Sequence, residues 1–232
     1  LDPTLMIGLP PTVTAATGMD ALTHAVEAFV SNWATPYTDR MALAAASMIW
    51  QHLPRVVRDG TDLHSREKMA LASTYAGLAF TRANVGNVHA IAHQLGGRYH
   101  VPHGLANAVM LPPVLRFELP DVAPRLARLG ERVGLRGNGD KATAEKFIDA
   151  VQTLNDSIGI PRTLEALREE DIPELARAAC SEADLNYPVP RRMSPQQCDA
   201  LLREVLPGAP MVDRKPARSP RKGGAPRRAS TG

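Results

Sequence analysis

Apolar residues recur at helical spacing along most of this chain, and no stretch sustains the alternation of apolar and polar residues that is typical of a half-buried strand. In "GMDALTHAVEAFVS", for example, Leu22, Val26 and Phe29 fall on one stripe of a helix. The dipeptides Thr35-Pro36 and Ser194-Pro195 are typical of an N-cap followed by a proline in the first turn. We therefore predict an all-α fold, a helical bundle.

Local residue types also predict where individual helices begin and end. Ser65 can cap the helix in "REKMALASTYAGLAF", and a helix from about Asn87 should stop at Gly96-Gly97, where glycine permits a sharp reversal. Pro102 can then begin the next helix, "HGLANAVMLPPVLRF". We predict further, separate helices in "VAPRLARLGERVG" and in "TLEALREEDIPELARAAC".

Composition divides the chain into three segments. Residues 1–18, "LDPTLMIGLPPTVTAATG", are moderately apolar but lack a helical or strand pattern, so we interpret them as a segment like an interdomain junction. Residues 19–206 form the predicted helical domain. Residues 207–232 are rich in Pro, Gly, Arg and Ser, and a segment of this composition buries too little apolar surface to offset its ordering entropy. We predict that this tail is disordered.

The net charge of +3 conceals an uneven distribution. Residues 208–232 contain seven Lys or Arg and one Asp, a charge of +6, so the preceding 207 residues carry −3. Such a basic tail could bind nucleic-acid phosphates in a salt-dependent, non-specific way. Because no aromatic residue lies among the cations and no base-reading motif occurs, we favour a solvated tail and keep nucleic-acid binding as the weaker alternative.

The chain shows no feature of a secreted or membrane protein. No apolar run approaches roughly 18 residues, and the first residues lack the basic region and apolar core of a signal peptide. Cys180 and Cys198 are the two cysteines, too few to suggest a disulfide framework. We therefore expect a cytoplasmic protein without membrane association.

Two short stretches carry the candidate chemistry. Asp20 and His24 are four residues apart, so they share one helix face with Glu27, opposite the apolar stripe. On this helix alone, a solvated polar face is the favoured interpretation, and a pair of metal ligands is the alternative. The second stretch, "NVHAIAHQLGGRYHVPHG", contains four of the seven histidines.

His89 and His93 also share a helix face, and His103 follows past the predicted turn, so His89 and His103 can converge. His93, one turn after His89, could move a proton between solvent and a bound substrate, or could only pack beside the ligands. Of the other histidines in and near these helices, we predict that His100 is structural and that His52 and His64 are surface residues.

One carboxylate and three imidazoles suit a divalent first-row metal, such as Fe(II), Zn(II), Ni(II) or Co(II), at about 2.0–2.2 Å. This candidate set consists of Asp20, His24, His89 and His103. The spacing is neither a paired CxxC nor an HExxH pattern, so metal binding is a hypothesis at this point. The sequence contains no GxSxG elbow and no recognisable phosphate-binding loop.

Two long segments, "GLPPTVTAATGMDALTHAVEAFVS" and "GNVHAIAHQLGGRYHVPHGLANAVMLPPVLRF", resemble the C-terminal helical domain of the iron-containing (group III) alcohol dehydrogenases, a dehydroquinate synthase-like fold. The resemblance covers about residues 1–206. It implies that the four candidate ligands hold the metal and that His93 lies near substrate and nicotinamide. It also implies that Phe80, nine residues before His89, lines the substrate pocket.

The implied reaction is the NAD- or NADP-dependent interconversion of a small alcohol and an aldehyde or ketone, with Fe(II), or alternatively Zn(II), as the metal. Family members also carry an N-terminal α/β nucleotide-binding domain, and this chain begins where that domain should end. We therefore expect the chain to bind metal without turning over alcohol alone. Its expected partners are that domain or further copies of itself. The alternative is a non-catalytic metal-binding or assembly module.

Overall fold

The structure, a computed structural model, describes residues 1–208; the predicted disordered tail lies almost entirely outside the described residues. Residues 1–208 contain eight α-helices and no strand, which confirms the all-α prediction. The α-helices are α1 (Pro11–Val30), α2 (Pro36–Arg58), α3 (Leu63–Ala83), α4 (Asn87–Tyr99), α5 (His103–Arg132), α6 (Asp140–Ser157), α7 (Ile172–Asn186) and α8 (Pro195–Glu204). No helix of this range is long and apolar enough to cross a bilayer.

Helix α1 lies at the centre of the bundle, where it packs against α2, α3 and α5. Helix α4 packs against α5 and α7, α5 packs against α6, and α7 packs against α8. The stripe predicted on α1 is fully buried at Leu22, Val26 and Phe29. Full burial of a side chain of this size contributes about 1.5–3 kcal/mol, so this stripe fixes α1 in the core.

Helix α1 begins at Pro11, and a short 3-10 helix covers Pro3–Met6, although residues 1–18 show no helical pattern in the sequence. Pro11 occupies the first helical turn, where its fixed φ angle favours the helix. The following Thr and Val residues have weak helix propensity, but tertiary packing overrides it, since Thr14 and Ala15 are buried. The interpretation of this segment as an interdomain junction stays a prediction.

The predicted N-caps at Thr35 and Ser194 are confirmed, since each forms a capping box with the residue three positions later. The prediction for α3 is wrong by one turn. Asp62, not Ser65, is the N-cap, and its carboxylate accepts hydrogen bonds from the backbone N–H and the hydroxyl of Ser65. The Ser65 hydroxyl also lies 3.0 Å from Nδ1 of His52. His52 is buried, contrary to the prediction of a surface position.

Helix α4 does not stop at Gly96-Gly97 but continues to Tyr99. The reversal occurs at His100, which has a left-handed φ of 56° and donates its backbone N–H to the carbonyl of Gly96. His100 therefore has the structural role predicted for it, as the C-cap of the helix that carries His89 and His93.

Helix α5 is one continuous helix of 30 residues, although the sequence suggested two helices in this region. It contains four prolines, of which Pro112 and Pro113 are buried, so packing against α1 and α6 maintains the helix where its hydrogen bonds are lost. Helix α7 begins only at Ile172, after a short 3-10 helix at Glu169–Asp171. The first residues of "TLEALREEDIPELARAAC" are therefore not α-helical, contrary to the prediction.

Candidate metal centre

The four candidate ligands converge from three helices, α1, α4 and α5. Their ligand atoms all lie within 4.8 Å of one another. Oδ1 of Asp20 lies 3.5 Å from Nε2 of His103 and 3.8 Å from Nε2 of His89. Neighbouring ligand atoms in a tetrahedral site with bonds of about 2.1 Å are about 3.4 Å apart. Asp20, His24, His89 and His103 therefore fit a divalent cation after only small movements.

Glu27 forms the buried wall of this cluster, on the same face of α1 as Asp20 and His24. Its Oε2 lies 2.5 Å from Nδ1 of His89, and its Oε1 accepts the backbone N–H of Val88 at 2.7 Å. The interpretation of this face as solvated is wrong for Glu27, which is only 3% exposed. The first turn of a helix has N–H groups without partners in that helix, and its dipole end is positive. Glu27 accepts one of these N–H groups of α4, that of Val88, and places a negative charge beside the dipole end.

The contact with Glu27 decides which nitrogen of His89 is available to a metal. Nδ1–H donates to the carboxylate, so Nε2 carries the lone pair that points to the cluster. Burial opposes protonation of His89, but the charge of Glu27 and its hydrogen bond outweigh burial and raise the pKa of the ring. The carboxylate thus makes His89 a more basic candidate ligand.

His24 has the opposite electrostatic environment. Burial, and then the neighbouring His89, lower the pKa of His24 to about 4. Its ring stacks against Phe80 at a centroid distance of 4.3 Å and against His89 at 4.5 Å. His24 is therefore neutral near pH 7, as a metal ligand must be, and Phe80, which is partly buried, lies directly beside the cluster.

Gly104 allows α5 to begin close enough to α1 for His103 to meet Asp20. A Cβ atom at position 104 would lie 2.4 Å from the backbone oxygen of Ala16 and 3.3 Å from Cβ of Asp20. The side chain of His103 is 43% exposed, so it forms the solvent-facing side of the centre. Burial of the rest of the ring lowers the pKa of His103.

Asn107 is a member of the site that the sequence analysis did not identify. It is fully buried one turn after His103, and its Nδ2 donates to Oδ1 of Asp20 at 2.6 Å. Nδ2 also lies 3.0 Å from Nε2 of His103 and 3.2 Å from Nε2 of His89. The i+4 spacing from His103 was the only sequence signal for this position.

His93 lies beside the cluster, next to its exposed side. Its ring stacks on that of His103 at a centroid distance of 5.3 Å, and its side chain is 41% exposed. Nδ1 lies 2.6 Å from Oε1 of Glu182 on α7. Glu182 is 89 residues away in sequence, so no local pattern connected the two residues.

Residues 14–206 match the family model described as the Fe-containing alcohol dehydrogenase family, C-terminal. This chain belongs to the iron-containing alcohol dehydrogenase family.

Relatives within the iron-containing alcohol dehydrogenase family match most of the chain. The 1,3-propanediol dehydrogenase of Klebsiella pneumoniae is 46% identical over 209 residues, which are 88% of this chain and 54% of the relative. A 1-propanol dehydrogenase of Salmonella typhimurium is 42% identical over 216 residues, 89% of this chain and 58% of the relative. The crystal structure of a 1,3-propanediol oxidoreductase superposes with a TM-score of 0.85 at 45% identity, over 88% of this chain and 55% of that one. The chain thus spans about half the length of the curated relatives it matches.

Proposed function

We propose that this chain is the metal-holding part of an NAD(P)-linked alcohol dehydrogenase that interconverts a small alcohol and an aldehyde or ketone by hydride transfer. The observation that carries the proposal is the convergence of one carboxylate and three imidazoles within 4.8 Å. The relatives at 46% and 42% identity are named for 1,3-propanediol and 1-propanol, which favours a short aliphatic alcohol as substrate.

In this proposal, Asp20, His24, His89 and His103 hold Fe(II), with Zn(II) as the other metal that this donor set suits. When bound, such a metal acts as a Lewis acid that lowers the pKa of an alcohol hydroxyl, while the nicotinamide accepts the hydride. The contribution of the chain is position and electrostatics. Glu27 holds His89 with Nε2 toward the cluster, and the partly exposed His103 side leaves room for a substrate.

His93 and Phe80 are the proposed substrate-side residues. His93 is exposed and stacks on His103, so it can exchange protons with solvent while it contacts a substrate hydroxyl. Phe80 packs on the ring of His24 and offers an apolar surface to the carbon chain of the alcohol.

The first test is metal content per chain after anaerobic purification without a His tag. We expect about one equivalent in the wild type, loss of the metal in His89→Ala, and no loss in His64→Ala, which removes an exposed histidine outside the cluster. Circular dichroism checks that both variants are folded. A wild type without metal, or a His89→Ala variant that keeps it, would contradict the proposed centre.

The second test concerns turnover. Residues 1–208 replace the corresponding half of the Klebsiella pneumoniae 1,3-propanediol dehydrogenase, and the chimera is assayed with 1,3-propanediol and 1-propanol in the presence of NAD or NADP. We expect the chimera to oxidise these alcohols. The rate should fall by about 10²–10⁴-fold in His93→Ala, the usual contribution of an acid–base group. A chimera that binds metal and cofactor but does not oxidise either alcohol would contradict the proposed reaction.

A further inference from the structure

Three side chains converge on one carboxylate outside the metal cluster. Oε1 of Glu182 accepts hydrogen bonds from Nδ1 of His93 and from the hydroxyl of Tyr187, each at 2.6 Å. Its Oε2 accepts a hydrogen bond from Nε2 of Gln94, also at 2.6 Å. Both carboxylate oxygens are therefore engaged, although the side chain of Glu182 is 22% exposed.

These contacts hold Glu182 in one orientation. Tyr187 follows directly after α7, and Gln94 lies on α4, where its Nε2 also donates to the carbonyl of Ala90 at 3.2 Å. The carboxylate is thus fixed from its own helix end and from the facing helix. An exposed ion pair between two mobile side chains contributes little to stability, because both side chains lose conformational entropy. Here the other contacts already restrict the carboxylate to few orientations.

The arrangement repeats the one at His89, where Glu27 holds Nδ1 and leaves Nε2 for the cluster. For His93, Nδ1 also faces a carboxylate, while Nε2 makes no hydrogen bond to any described residue. The nitrogen that remains available belongs to a ring stacked on His103, at the exposed side of the centre.

We propose that Glu182, held by Tyr187 and Gln94, is a positioning residue that fixes His93 in the tautomer with Nδ1–H on the carboxylate and Nε2 free for the substrate. This inference rests on the proposed function, in which His93 exchanges a proton with the substrate and therefore needs one ring nitrogen available to it. Within residues 1–208, the side chain of Glu182 bonds to His93, Gln94 and Tyr187 and to none of the four candidate metal ligands. It acts through the imidazole, by excluding the tautomer that would place a proton on Nε2 and by limiting rotation of the ring.

The test reads the tautomer of His93 directly. Two-bond ¹H–¹⁵N spectra of the histidine rings are recorded on the full 232-residue chain, with and without Zn(II), at about pH 8.5, where an ordinary imidazole is neutral. The signals of His93 are assigned by their loss in His93→Gln. We expect Nδ1–H as the major form in the wild type and loss of that preference in Glu182→Leu.

Matched variants separate positioning from a general structural effect. Glu182→Gln retains an acceptor oxygen and should restore the Nδ1–H form, whereas Glu174→Leu, an exposed glutamate on the same helix, should leave it unchanged. Nε2–H as the major form in the wild type, or an unchanged tautomer in folded Glu182→Leu, would overturn the proposal. Zn(II) content, measured on the same samples, tests the metal centre separately. Loss of metal contradicts the proposed function, but the tautomer can still be read from the metal-free chain.

Discussion

Glu27 and His89 lie on different helices, 62 residues apart in sequence, and Oε2 of the glutamate is 2.5 Å from Nδ1 of the ring. Both side chains are 3% exposed, so water cannot replace either partner. The same carboxylate accepts the N–H of Val88 at the beginning of α4. One buried glutamate on α1 therefore links that helix to the first turn of α4 and selects the nitrogen that His89 presents to the cluster.

Glu27→Gln should weaken metal binding by about 10–100-fold, the usual cost of removing the partner of a ligating histidine. The amide keeps the size of the side chain, but its NH₂ group must face one of the two donors, Val88 N–H or His89 Nδ1–H. A buried donor left without an acceptor should also lower the free energy of unfolding by about 1–3 kcal/mol. Competition between the chain and a chelator for Zn(II) measures the affinity, and urea unfolding measures the stability.

Glu67→Gln is the matched control for this change, because Glu67 is an exposed glutamate on α3 outside the cluster. It should leave both the Zn(II) affinity and the stability as in the wild type. An affinity for Glu27→Gln equal to that of Glu67→Gln would show that Glu27 has no influence on the ligand that it contacts.

Asn107→Asp should destabilise the metal-free chain, and the stability of this variant should depend strongly on metal. Nδ2 of Asn107 donates to Oδ1 of Asp20 at 2.6 Å, so an aspartate there would place two carboxylates in contact in a buried site. Without metal, we expect the free energy of unfolding to fall by about 1–3 kcal/mol. On addition of Zn(II), we expect it to rise by more in Asn107→Asp than in the wild type. Urea unfolding with and without Zn(II) provides the measurement.

Asn107→Leu is the comparison for this effect, because it removes the hydrogen bond without adding charge. The leucine variant has no second carboxylate to repel Asp20. Zn(II) should therefore raise its free energy of unfolding by no more than it raises that of the wild type. Equal responses of the two variants to Zn(II) would contradict the placement of Asn107 against Asp20.

Helical spacing was sufficient to predict pairs of side chains within one helix, such as Asp20 with His24 and His89 with His93. It could not predict the environment of Glu27, because the partners of that carboxylate, Val88 and His89, come from another helix. On α1 alone, the position of Glu27 is typical of a solvated face. The contact between His93 and Glu182 joins residues 89 positions apart and had no local signal at all. The sequence resemblance supplied the convergence of the ligand set, which periodicity alone left open.

Helix ends were predicted least well, again for physical reasons. At Gly96-Gly97 the flexible residues lie inside the helix, and the left-handed reversal is at His100. Histidine adopts that conformation more often than most non-glycine residues, but much less readily than glycine. At Pro11 the helix begins earlier than its weak helix formers suggest, because buried packing outweighs a propensity cost of less than about 1 kcal/mol per residue.

Glu118 should make the stability of the chain depend on pH. It is fully buried and accepts Nδ2 of Asn87 at 2.7 Å; burial, and then the charge of Glu27, raise its pKa from 4.5 to about 8. Between these values the folded chain binds more protons than the unfolded chain, so the free energy of unfolding falls as the pH rises. The stabilisation is complete below about pH 4.5 and is lost as the pH rises through about 8.

Glu118→Gln should remove this contribution, at most about 1.4 kcal/mol per pH unit. Urea unfolding of both chains across that range measures the two slopes. A wild-type slope equal to that of Glu118→Gln would contradict a raised pKa at Glu118.

Gly104→Ala should disrupt the metal centre, although the change adds only one methyl group. The new Cβ would lie 2.4 Å from the backbone oxygen of Ala16, which belongs to α1 and cannot move aside as a flexible side chain could. Helix α5 must therefore shift away from α1 and carry His103 away from Asp20. We expect a lower free energy of unfolding, by about 1–3 kcal/mol as for other overpacked sites, and weaker Zn(II) binding.

Gly97→Ala distinguishes this steric effect from the general effect of replacing a helical glycine. Gly97 lies within α4, and a Cβ atom there would meet no atom within 4 Å. Alanine at this position should stabilise the chain by up to about 1 kcal/mol, because it lowers the entropy of the unfolded state, and should leave Zn(II) affinity unchanged. If Gly104→Ala behaves like Gly97→Ala in both measurements, then the close approach of α5 to α1 is not what brings His103 to Asp20.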